Sequence, residues 1–115
     1  MALAMVDAAE HILLHCGQTY MAYCERWATI GEPFTLEDDM RLHGALQQAG
    51  KQCFRAVEEL LRTAGPRMAN RGARMQRYFR DIAMYRVQGS SHEYVFTPGL
   101  SRAHFGLPVG QLFAR

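Results

Sequence analysis

Residues 74–86 read RMQRYFRDIAMYR, four arginines and one aspartate in thirteen residues that otherwise have the spacing of a helix. Arg74, Arg77 and Arg80 continue a series begun by Arg67 and Arg71 at steps of three and four. Such a series could clamp a phosphate, because a planar guanidinium donates two parallel hydrogen bonds to an anion's oxygens. The same arginines could instead bridge to carboxylates elsewhere on the chain and do no chemistry. Arg80 and Asp81 adjoin Phe79 and Ile82, so this pair is expected on the more buried side of the helix, where each charge needs a partner.

The other reactive side chains are sparser. His11 and His15 stand at i and i+4 beside Glu10, and two imidazoles so placed could share a metal; no further ligand stands at a recognisable spacing, so no metal site is expected. Cys16, Cys24 and Cys53 form no CxxC, leave an odd count and fall on apolar stripes. They read as small core residues in a reducing, cytoplasmic setting rather than as disulfides or nucleophiles. His92 follows two hydroxyls, Ser90 and Ser91, directly after the arginine segment. It could serve as a general base or hydrogen-bond donor in a cleft, or simply face solvent from a loop.

Long helices must position these groups. From Ala2 the apolar residues step by four and three through Val6, Ala9, Leu13, Cys16, Tyr20, Tyr23, Trp27 and Ile30, predicting one amphipathic helix that ends at Gly31. Thr35 can cap a second helix beginning near Leu36, with Asp38 at the capping-box position and Glu37, Asp38 and Asp39 suiting the helix dipole. Its stripe runs from Leu42 through Leu46, Ala49, Cys53 and Val57 to Leu60, and Gly65–Pro66 stops it after Ala64. A third helix runs from Ala73 and ends before Gly89. The remainder holds Pro98 and Pro108 among glycines and scattered aromatics, and reads as an irregular tail lying along a surface.

The whole is therefore expected to be all-α, an up-down bundle of three long helices over residues 1–97 with an extended tail over 98–115. A chain of 115 residues with 49% hydrophobic content can bury a modest single core. A three-helix layer this extended leaves apolar flank uncovered, so a homo-oligomer, dimer or tetramer, is expected. The net charge of +2 makes no case for nucleic acid. Charge is nevertheless segregated. Residues 1–60 hold nine acids against four bases, and residues 61–115 hold nine bases against two acids. The halves could pair within the fold or between subunits. No segment has the length and apolarity of a membrane span or the pattern of a signal peptide.

The order of Leu61–Gly65, a short loop, Gly72, then Met75, Gln76, Arg77, Arg80 and Asp81 resembles the C-terminal helical-bundle domain of the acyl-CoA dehydrogenase superfamily. It is most similar to the branch of two-component flavin-dependent monooxygenases such as the oxygenase of 4-hydroxyphenylacetate 3-hydroxylase. The resemblance implies that the bundle builds an oligomer and completes a pocket for reduced FMN or FAD supplied by a partner reductase. Arg77, Arg80 and Asp81 would then organise the pocket wall and subunit contacts. Two positions depart from the pattern: Gln88 stands where the monooxygenase branch has a histidine, and Gly89 where the dehydrogenase branch has a catalytic glutamate. Glutamine hydrogen-bonds but does not titrate near neutral pH. Gln88 and His92 are thus the candidates for any catalytic role, His92 as a substitute for the absent histidine. The family's N-terminal helical domain and middle β-domain have no counterpart in this sequence. The resemblance therefore implies a stand-alone or truncated domain, not catalytic alone, that assembles with itself or with a chain carrying the missing domains. An alternative needs no flavin, namely a helical interaction module whose arginine face docks an acidic partner.

Overall fold

The α1–α2 corner shows how local sequence sets the architecture. The first helix, α1, covers Ala2–Ile30 and ends where Gly31 turns left-handed, at φ 68°, with its N–H donating to the Trp27 carbonyl. Glycine tolerates that conformation without the Cβ clash that other residues meet there. After a short connection, Thr35 caps α2, Leu36–Ala64, in the reciprocal box expected from sequence: its hydroxyl accepts from the Asp38 N–H, and Asp38 Oδ2 accepts from the Thr35 N–H. Phe34 lies edge-on to Tyr23 at 5.2 Å and to Tyr20 at 6.2 Å, which fixes the chain's return. So short a connection makes α1 and α2 antiparallel neighbours.

The computed structural model describes residues 1–70, 72–87 and 93–109. After a 3₁₀ turn over Pro66–Ala69, α3 covers Arg74–Arg86 and α4 covers Glu93–His104. All elements among the described residues are helical. The central helix is α2, which packs against α1 along one side and against α3 and α4 elsewhere, whereas α1 packs to any extent on α2 alone. Phe54 of α2 meets Phe79 of α3 with ring centroids 5.9 Å apart.

The tail departs from the sequence reading. An irregular segment was expected from residue 98, yet Pro98 and Gly99 lie inside α4. Proline removes one hydrogen bond and glycine costs backbone entropy, so the helix depends on packing rather than propensity. Gly99 is buried, and Leu100 reaches Gly44 of α2, where an added Cβ would sit 4.0 Å from Leu100 Cδ2. Past the helix, Arg102 Nε donates to the Pro108 carbonyl at 2.6 Å, folding residues 105–108 back on it.

Among the described residues the buried apolar side chains are few and mostly small: Ala9, Cys16, Met40, Ala49 and Ala56. Several stripe residues expected to face the core are not covered, with Leu13 50% exposed, Tyr20 54% and Trp27 63%. The side of α1 that meets α2 instead runs through Ala9, Ile12, Cys16, Thr19 and Tyr23. A helix apolar over so wide an arc does not tell from sequence which half of the arc meets its neighbour.

Candidate functional site

The arginine helix presents its charges outward. Met75, Phe79 and Ile82 form the half-buried side of α3, while Arg74, Arg77, Arg80 and Asp81 are exposed. The expectation that Arg80 and Asp81 are buried is thereby corrected. The partner of Asp81 is Arg77, one turn earlier, at 3.7 Å, with both side chains mostly in solvent. Arginine and aspartate need no buried partner when the helix can turn them to water, and α3, lying on one edge of α2, has that freedom. Arg86 alone turns toward α2, its guanidinium 5.7 Å from the Phe54 ring centre. Gln88, Gly89, His92 and Arg71 lie outside the described residues.

A cleft of about 360 Å³ opens between α2 and α4. Met40, Gly44 and Leu100 give it an apolar floor, and Arg41, Lys51 and Arg86 bring three cationic side chains to its lining. Such a lining suits a small anion-bearing ligand with an apolar body. Beside it, Glu37 Oε1 accepts from Arg41 Nε at 3.1 Å and Nη2 at 2.8 Å, and lies 3.1 Å from His104 Nδ1. The hydrogen bond from His104, followed by that from Arg41, holds the Glu37 carboxyl below its usual range. Sequence reasoning placed Glu37 only as a dipole-facing acid and missed His104 altogether. Nothing local joins residues 67 positions apart; only the docking of α4 on α2 does.

A second constellation sits at the α1–α2 corner. Arg26 lies over the Tyr23 ring at 5.0 Å, donates from Nη2 to Asp38 at 3.3 Å and pairs with Glu32 at 3.5 Å. Its buried Nε is close enough to Glu32 for an ion pair but is not aligned for a hydrogen bond. Hydrogen bonding to Thr35, with a smaller contribution from the Arg26 charge, depresses the Asp38 carboxyl. These groups pair with one another and close the corner, so they read as structural.

The remaining sequence candidates stay apart. His11 Nδ1 donates to the Asp7 carbonyl at 2.7 Å, and His15 Nε2 lies 3.5 Å from the Thr19 hydroxyl, both exposed on α1. Among the described residues no three His, Cys, Asp or Glu side chains gather as a metal site would require. Burial pushes the Cys16 thiol up, as fits an inert core cysteine, whereas Cys24, expected on the apolar stripe, is exposed. No described helix is long and apolar enough to cross a membrane.

A family model described as acyl-CoA dehydrogenase, C-terminal domain, matches residues 1–91. The match takes in α1, α2 and α3 and stops short of α4, so the α4 wall of the cleft, Thr97 and Leu100, lies beyond it. Neither a curated protein nor a solved structure matches the chain.

Proposed function

The chain belongs to the acyl-CoA dehydrogenase C-terminal domain family, and from that premise we propose that it is the assembly-forming helical part of a flavin-dependent oxidoreductase of the two-component monooxygenase kind. The observation that carries this reading is the family match over all three bundle helices, on a chain whose first helix leaves a broad apolar face uncovered. It acts in the cytoplasm as a homo-oligomer, or with a chain carrying a β-domain, and is not catalytic alone. Gln88 and Gly89 occupy the positions at which relatives would carry a titrating histidine or a catalytic glutamate.

The residues fit a flavin in part. Arg77 and Arg80 are exposed and able to take the phosphate of FMN or FAD, with Asp81 holding Arg77 in place. The α2–α4 cleft lies at the small end of the range for ligand pockets, so the flavin ring needs walls from another chain. When bound, reduced flavin supplies the electrons for oxygen chemistry; this chain's share is to bind, orient and exclude water. Titration of the purified chain with FMN, alone and with a β-domain partner, followed by flavin fluorescence, tests the reading. Saturable binding that weakens in Arg77→Ala/Arg80→Ala supports it, and no binding in either arm at high flavin concentration sinks it.

The outward arginines favour a second reading that needs no flavin, a helical interaction module that docks an acidic surface. Its mark is binding that weakens with salt.

A further inference from the structure

We propose that the outer face of α3 docks on the outer face of α1 in a second copy of this chain. The inference rests on the interaction-module reading and names its acidic partner.

Opposite the side that meets α2, α1 carries Leu3, Leu14 and Met21, which are 74%, 60% and 65% exposed. Asp7, Glu10 and Glu25 are interleaved with them on the same side, all exposed. A shallow groove runs beside Gly17, where an added Cβ would meet nothing within 4 Å, so another helix can approach closely. The single basic residue of α1 is Arg26, already engaged by Glu32 and Asp38 at the corner. This face is therefore apolar and acidic, with no arginine or lysine of its own to offset the carboxylates.

The outer face of α3 is its complement. Arg77, paired at 3.7 Å with the exposed Asp81, and Arg80 flank Met84 and Val87, each 63% exposed, and Arg74 extends the charge at the helix start, so the face stays positive with three arginines against one acid. Exposed apolar residues on both faces supply the gain from burial, and the opposite charges select the pairing. Self-pairing is disfavoured on the same grounds. Two α1 helices crossing antiparallel at Gly17 would bring Glu10 of one copy beside Glu25 of the other, and two α3 helices would set arginine against arginine. Within one chain the two faces do not meet, because α1 and α3 pack on α2 and not to any extent on each other. A second copy supplies the contact, and a two-fold axis would repeat it twice per dimer.

Sedimentation velocity of the purified chain without flavin tests the contact independently of any cofactor. The wild type is expected to self-associate, less tightly as salt is raised. Reversing Arg77→Glu and Arg80→Glu should raise the dissociation constant about tenfold or more, with helicity retained. Adding Glu10→Arg and Glu25→Arg to that variant should restore association. A wild type that stays monomeric at the highest attainable concentration overturns the proposal. A dimer indifferent to the α3 reversals, or reversals that the α1 changes do not rescue, overturns this contact while leaving self-association itself standing. If the reversals unfold the chain, wild-type association that does not respond to salt overturns it instead.

Discussion

Asp38 is a single carboxylate on which several contacts converge. It completes the helix cap with Thr35, receives Arg26 and stands at the corner that sets the direction of α2. Its folded pKa is depressed, so its contribution is fully present above the unfolded value of about 3.9 and is lost as pH falls through the lower folded value. Glu37, also depressed, acts in the same direction through its bonds from His104 and Arg41. Thermal melts between pH 6 and pH 3 should show the wild type losing stability toward the acid end. Asp38→Asn, which keeps an acceptor but cannot ionise, should start less stable at pH 6 and lose less. Parallel losses in the two proteins would show that the cap carboxylate contributes nothing to acid sensitivity. The cap was legible in sequence because its partners are three residues apart. The Glu37–His104 pairing was not, because it is made only when α4 folds back on α2.

At the scale of the element, α2 is the helix best supported by its own sequence, and α3 and α4 draw the least from theirs. Thr35 and three first-turn acids stabilise the start of α2, so Thr35→Ala should cost about 1 kcal/mol in chemical denaturation, and Thr35→Ser nearly nothing. Equal losses for both would place the threonine's role in its methyl group rather than its hydroxyl. No side chain caps α3, and arginines rather than acids occupy its first turn, against the helix dipole. Its hold on the molecule comes from half-buried Met75, Phe79 and Ile82 against α2. Helix α4 is a stronger case of the same dependence. Pro98 and Gly99 argue against a helix locally, and contact with Gly44 is what offsets them.

The molecule as a whole measures 56 × 29 × 21 Å and has a radius of gyration of 17.5 Å. A compact domain of this length would have a radius nearer 13 Å. The excess reflects two helices of 29 residues with no third layer over α1. Among the described residues no large side chain is completely buried in so thin a layer. Stability that depends on a second copy is concentration-dependent, so the melting temperature should rise with protein concentration over a hundredfold dilution series. Leu14→Glu, at a site 60% exposed within one chain, should lower the melting temperature at high concentration and have little effect at the lowest. A melting temperature that does not vary with concentration would mean that the single layer sustains itself.

The sequence by itself determined the two long helices and the shorter third, the ends of the first two at Gly31 and Ala64, the Thr35 cap and the segregation of charge, because each depends on residues within a few turns of one another. The all-α class followed from those periods, and the family resemblance from the Gln76–Asp81 segment. Tertiary structure alone decided which half of the wide apolar arc of α1 meets α2, and so left Trp27 and Leu14 in solvent. It also turned Arg80 and Asp81 outward and made a helix of Glu93–His104. Each of these outcomes depends on where one helix lies against another across tens of residues, and local propensity carries no record of that placement.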